Sequence, residues 1–128
     1  MTQIRDDKPK ILVVDANERN TSLLSNFLAT EGYEPMVVTD FGQTDEAITR
    51  IETVSFAIID VDRFDRLVWS FCGKLNEHDV PFIVLSGRQN RSLQRESYEH
   101  GATKFIQKPI AKRELRTLVR SILNPSRQ

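Results

Sequence analysis

The sequence predicts an α/β domain whose parallel sheet is covered by helices on both faces, and three observations carry that prediction. Five short apolar runs alternate with helical patterns along 128 residues, the signature of repeated strand–helix crossovers. The run FAII at 56–59 contains no polar residue, as suits a strand buried on both faces of a parallel sheet. The runs also end in chemistry-bearing residues, and in open α/β sheets ligands gather outside the carboxyl ends of the strands.

The elements follow in order. ILVV at 11–14 is the first strand and ends in Asp15. Residues 18–30 place Leu23, Leu24, Phe27 and Leu28 at helical spacing, and Gly32 supplies the stop. Residues 35–39 read as the second strand. Thr44 before Asp45 and Glu46 starts a helix whose apolar face is Ala47, Ile48 and Ile51. The strand at 56–60 is followed by a stripe of Leu67, Val68, Phe71, Cys72 and Leu75, closed by His78 and Asp79. PFIVL at 81–85 is a buried strand ending in Ser86 and Gly87. Residues 91–100 form a shorter, more polar helix stopped at Gly101, and 103–107 form the last strand, ending in Lys108 and Pro109. The last helix, 111–123, carries Leu115, Leu118, Val119 and Ile122 in the i, i+3, i+4, i+7 pattern.

Bulk properties narrow the function. A chain of this length fits one domain that buries roughly two thirds of its unfolded surface. Its 18 Lys plus Arg balance 18 Asp plus Glu, so there is no overall basic field for nucleic acid or an anionic membrane. The single cysteine, Cys72, has no internal disulfide partner and lies in an apolar helical pattern, which favours a reducing compartment. No apolar run reaches bilayer length, and MTQIRDDKPK is too polar for a signal peptide. The expectation is a soluble cytoplasmic domain over 10–123, with tails at 1–9 and 124–128, the second being a tail or the start of a linker.

Taking only the strand-terminating residues brings Asp15, Asp60, Asp62, Ser86 and Lys108 to one rim. Crowded carboxylates repel one another, which a hard oxygen-liganded ion such as Mg2+ relieves. A lysine and a hydroxyl facing the same acids complement a phosphoryl group. Carboxylate nucleophiles that form aspartyl phosphates are established chemistry. The alternative is that Asp60 merely caps a turn, and the convergence of the other strand ends weighs against it.

In the residues ILVVD (11–15), FAIID (56–60), PFIVLSG (81–87) and GATKFIQKP (101–109), the chain resembles the receiver domain of two-component response regulators, the CheY-like receivers, over 10–123. The resemblance implies a flavodoxin-like (βα)5 sheet in the order 2-1-3-4-5. It implies that Asp60 accepts a phosphoryl group from the phosphohistidine of a sensor kinase or phosphotransfer protein and loses it slowly by self-hydrolysis. Asp15 and Asp60 would hold Mg2+ with the backbone carbonyl of Asp62. Ser86, Gly87 and Lys108 would bind the phosphoryl group, with a cis peptide before Pro109. Ser86 and Phe105 would form the switch. Implied partners are the phosphodonor and a downstream protein or output domain, with room for a homodimer, and with neither membrane insertion nor direct nucleic-acid binding by the domain. Tyr98, Lys104, Phe105 and Lys112 mark the partner surface that the family suggests.

Two departures stand out. The family has two adjacent acids after the first strand, whereas Asp15 is followed here by Ala16. Removing a carboxylate beside a divalent ion costs on the order of a few kcal/mol at an effective dielectric of about 20. The Asp62 side chain is one candidate to restore that charge; a loop acid that tunes dephosphorylation is an equal alternative, and Asn17 is a weaker candidate ligand. The loop after Asp60 reads VDRFDRLVW, with Phe64 where a proline is common and no glycine. These departures leave open a phosphorylation-independent receiver that acts only by binding protein. A third reading, a haloacid-dehalogenase-type phosphatase, rests on the DVD spacing, but that motif would follow the first strand and be joined by a later acidic pair. His78 and His100 fit helix caps better than metal ligands. Lys112, Arg113, Arg116 and Arg120 give the last helix a basic side of the kind that is usually a solvated face.

Overall fold

The alternation of apolar strands and amphipathic helices is realised as a single five-stranded parallel sheet in a computed structural model, which describes residues 8–40, 44–64, 66–88 and 90–124. The strands are β1 (Lys10–Val14), β2 (Glu34–Val38), β3 (Val54–Asp60), β4 (Phe82–Ser86) and β5 (Lys104–Gln107), in the order β2-β1-β3-β4-β5. The helices are α1 (Glu18–Thr30), α2 (Thr44–Thr49), α3 (Leu67–Glu77), α4 (Arg91–Glu99) and α5 (Lys112–Leu123). A 3-10 turn at Ile51–Thr53, with no distinct sequence signal, leads into β3. Most of the two predicted tails lies outside the described residues.

The strand periodicity of two divides the core between the two faces of the sheet. Leu12, Val14, Ala57, Ile59, Phe82 and Val84 project to one side, where Ala47, Val68, Phe71, Cys72 and Leu75 of α2 and α3 meet them. Ile11, Val13, Phe56, Ile58, Ile83 and Leu85 project to the other, against Leu28 of α1 and Leu115 and Val119 of α5. The strand at 56–60 therefore has a buried residue at every position, as its unbroken apolar run requires. The edge strands β2 and β5 are only half-buried.

Two helical residues placed in apolar stripes are corrected by the structure. Leu23 is 64% exposed and Leu67 is 57% exposed. Each lies one residue before an inward-facing partner, Leu24 or Val68, and about 100° of helical rotation turns it off the core side. Asn17 caps α1 by accepting the Asn20 N–H at 3.0 Å, and Asn90 caps α4 through the N–H groups of Ser92 and Leu93. His78 and His100 occupy the C-cap positions of α3 and α4, and the His100 ring stacks on Trp69 at 5.4 Å.

The basic side of α5 is only partly solvated. Arg116 Nε pairs with Glu31 at 3.0 Å, Arg120 approaches the same carboxylate at 3.6 Å, and the Arg116 guanidinium lies over the Phe27 ring. These contacts tie α5 to the end of α1 on the face that carries the second core.

Candidate functional site

The parallel topology delivers the strand ends to one rim, and the side chains there form a dense polar cluster. Asp15 follows β1 and Asp60 ends β3, and both are buried, at 6% and 3% exposure. Ser86 ends β4 and is fully buried. Lys108 follows β5, with a cis peptide linking it to Pro109. The Lys108 N–H donates to the Ser86 carbonyl at 2.8 Å, which anchors the start of that loop against β4.

Asp60 has one oxygen turned to each neighbour. Oδ2 receives Lys108 Nζ at 2.6 Å, and Oδ1 accepts the Asp62 N–H at 3.0 Å. Asp15 Oδ1 accepts the Asn17 N–H at 2.9 Å. Burial, reinforced by the charge of Asp60 and by a side-chain hydrogen bond with it, pushes the Asp15 carboxyl up to about 6. Two buried carboxyls at one rim, one reluctant to ionise, mark a place short of positive charge.

Asp62 points elsewhere. Its Oδ1 accepts the Ser86 hydroxyl at 2.7 Å, its Oδ2 accepts the Gly87 N–H at 2.8 Å, and Lys108 Nζ lies 3.0 Å from Oδ2. Partial burial acts to raise its pKa, but the Gly87 amide, the Ser86 hydroxyl and Lys108 outweigh that and hold it at about 2. Lys108, facing two carboxylates, is held above its usual value although its partial burial acts the other way. Among the described residues no group of three or more His, Cys, Asp or Glu side chains is gathered as a metal cage.

The turn after Asp60 explains this direction. Val61 is buried, Arg63 adopts a left-handed φ of 73°, and the Phe64 N–H closes back on the Val61 carbonyl at 3.3 Å while its ring packs on the core. A left-handed conformation costs a residue with a side chain about 1–2 kcal/mol, so the buried anchors on either side must hold it. Gly87 completes the enclosure: a Cβ there would sit 3.4 Å from Asp62 Oδ2. Arg88, which no sequence signal singled out, adds a looser pairing at 3.5 Å from Asp62 Oδ1.

The cluster thus unites Asp15, Asp60, Asp62, Ser86, Gly87 and Lys108, all named from the sequence. Ala16 contributes no ligand, and Asn17 is engaged as a cap. Phe105 is half-buried against the core, and its N–H donates to the Tyr98 hydroxyl at 3.1 Å. Beside Asp15 and Asp60 opens a cavity of about 370 Å3 bordered by Leu23, Phe27, Pro109, Ile110 and Leu115.

Comparison with known proteins agrees with this arrangement. Residues 11–120 match the response regulator receiver domain model. The probable transcriptional regulator ycf27 of Porphyra purpurea is 31% identical over 121 residues, covering 94% of this chain and 49% of the relative. The transcriptional regulatory protein YxdJ of Bacillus subtilis is 29% identical over 105 residues, covering 80% of this chain and 44% of the relative. The chain spans about half the length of the curated relatives it matches.

Among solved structures, a CheY-like response regulator receiver domain protein from Methanospirillum hungatei aligns with a TM-score of 0.80 at 22% identity, covering 92% of this chain and 95% of that one. The beryllofluoride-activated NtrC4 receiver domain aligns with a TM-score of 0.76 at 26% identity, covering 91% and 97%. The DVD motif follows the third strand, not the first, so the phosphatase reading loses its premise. With the strand order, the cis Lys108–Pro109 peptide and the match over residues 11–120 in agreement, the chain belongs to the response regulator receiver domain family of two-component systems.

Proposed function

We propose that Asp60 accepts a phosphoryl group from the phosphohistidine of a sensor kinase or phosphotransfer protein, and that the resulting change at the rim alters protein–protein contacts. The observation that carries this reading is the convergence of Lys108 Nζ, the Ser86 hydroxyl and the Gly87 N–H beside an almost fully buried Asp60. An oxygen of Asp60 attacks phosphorus, the bond from phosphorus to the donor imidazole breaks, and its electron pair stays on the ring nitrogen. Later, water attacks phosphorus, releases inorganic phosphate and restores the carboxylate. Lys108 and the two donors beside it offset charge on the transferred oxygens.

Mg2+ suits the Asp15–Asp60 pair, where burial and mutual repulsion hold Asp15 near 6. Asp15, Asp60 and the backbone carbonyl of Asp62 would hold it. When bound, the ion supplies positive charge to the attacking and transferred oxygens. Ala16 leaves this site one carboxylate poorer than the family pattern.

The cavity bordered by Leu23, Phe27 and Leu115 gives the phosphodonor protein an apolar seat next to Asp60. No helix among the described residues is long and apolar enough to cross a membrane, in keeping with a cytoplasmic signalling module. The curated relatives are longer transcription regulators, which supports coupling to an output segment or partner that carries the response.

A second reading, a receiver that works without phosphorylation, is favoured by one observation: the donors that would grip the phosphoryl group are already bonded to Asp62. Incubation with acetyl phosphate and Mg2+ separates the two. The intact mass should rise by one phosphoryl group, and Asp60→Asn should abolish the gain; no gain in either the wild-type protein or Asp62→Asn, which frees the donors bonded to Asp62, refutes the phosphoacceptor reading.

A further inference from the structure

The groups around Asp62 are the ones that a phosphoryl group on Asp60 requires. A buried hydroxyl, a backbone amide and an ammonium group meet its two carboxylate oxygens at 2.7, 2.8 and 3.0 Å. The carboxylate is planar where a phosphoryl group is tetrahedral, but both are compact anions that present several acceptor oxygens. Asp62 is also linked to the acceptor itself, since its N–H donates to Asp60 Oδ1. Buried Val61 on one side, with left-handed Arg63 and core-packed Phe64 on the other, keeps the side chain aimed inward.

We propose that the Asp62 carboxylate is a built-in occupant of the phosphoryl-binding subsite, holding Ser86, Gly87 and Lys108 until a phosphoryl group on Asp60 displaces it. This rests on the phosphoacceptor reading above. Asp62 then sets two properties together. It slows or weakens occupation of the subsite by any incoming oxyanion, and it draws the Ser86 hydroxyl toward the rim before phosphorylation. It also explains why a lone acid two residues after Asp60 need not serve the cation: both of its oxygens face away from that task. A side-chain ligand for Mg2+ predicts the opposite sign on removal, because phosphorylation would then slow.

The test compares the full chain with Asp62→Asn, which keeps the shape and removes the charge, and Asp62→Ala, which empties the subsite. Acetyl phosphate at saturating Mg2+ is followed by intact mass, with acetate leaving as the Asp60–phosphorus bond forms. Beryllofluoride, a phosphoryl analogue, is titrated in parallel by fluorine NMR. Amide spectra establish that each variant is folded, and report whether the Gly87 resonance moves as its carboxylate partner is lost.

At a wild-type open fraction of about one in ten, both variants should react and bind the analogue about tenfold more readily. The Gly87 amide should shift in both. Rates and affinities in the variants equal to or below those of a reactive wild-type protein overturn the occupancy and leave the phosphoacceptor reading standing. Absence of phosphoryl gain and of analogue binding in all three proteins overturns that reading and the occupancy with it.

Discussion

The burial of Asp15, reinforced by the charge of Asp60, makes a stability prediction that is independent of phosphorylation. Asp15 titrates near 3.8 when exposed and near 6 in the folded chain, so the native state holds its proton more tightly than the unfolded state. The penalty is absent at pH values well below 3.8, grows as pH rises through 6, and is complete above that. A shift of this size corresponds to about 3 kcal/mol at full ionisation and to roughly half of that at pH 5.

Asp15→Asn removes the charge and keeps an oxygen for the Asn17 N–H. Relaxation of the rim and imperfect fit of the amide will absorb part of the gain, leaving about 1–2 kcal/mol of stabilisation at pH 8 and less at pH 5. Urea unfolding followed through Trp69, the only tryptophan, provides the assay, with an unchanged m-value as the check that the comparison is two-state. Saturating Mg2+ should narrow the gap at pH 8 by stabilising only the wild-type pair. An Asn variant no more stable than wild type at pH 8, or equally stabilised at both pH values, would refute the proposed cost of burying the ionised Asp15 carboxyl beside Asp60.

Two further predictions concern the scaffold. Gly101 has a φ of +100°, and a Cβ there would lie 2.5 Å from Asn76 Oδ1; Gly101→Ala should therefore cost about 1–3 kcal/mol in urea unfolding, with Asn76→Ala restoring only part of it because the left-handed backbone remains. Burial pushes the Cys72 thiol up to about 12, so a thiol-specific disulfide reagent at pH 8 should label the native protein only at the rate of opening, and labelling within the mixing time would contradict the packing of α3.

The sheet was legible in the sequence because its central strands are buried on both faces and need unbroken apolar runs, which 11–14, 56–59 and 82–85 supply within β1, β3 and β4. The half-buried edge strands β2 and β5 carry Glu34, Lys104 and Gln107 and were bounded to within one residue, whereas the start of β3 was missed by two because Ser55 interrupts its apolar run. Leu23 and Leu67 were misplaced because a residue at the border of a helical stripe satisfies the spacing from either side. At the rim, position followed from topology: whatever follows Val14, Ile59, Leu85 or Gln107 must emerge there. Direction did not. That Asp62 turns to Ser86 and Lys108 depends on the left-handed Arg63 and on Phe64 reaching the core, and neither has a sequence signature.

Ala16 and Asp62 acquire meaning together. Relative to the family pattern, the rim has one carboxylate fewer beside Asp15 and has one beside Lys108, so negative charge is placed on the Lys108 side of Asp60 instead of the Asp15 side. Lys108 consequently faces two anions, at 2.6 and 3.0 Å, before any phosphoryl group arrives. An incoming group bearing about two negative charges cannot share that one ammonium with Asp62 at close range without strong repulsion. On the proposed function, phosphorylation of Asp60 would therefore be coupled to outward movement of Asp62 and of the turn that holds it. Relieving Asp15 leaves that coupling intact, whereas neutralising Asp62 dissolves it. A protein carrying Asp15→Asn should gain stability without becoming more receptive to an oxyanion in the phosphoryl subsite, and one carrying Asp62→Asn should become more receptive without the pH-dependent gain.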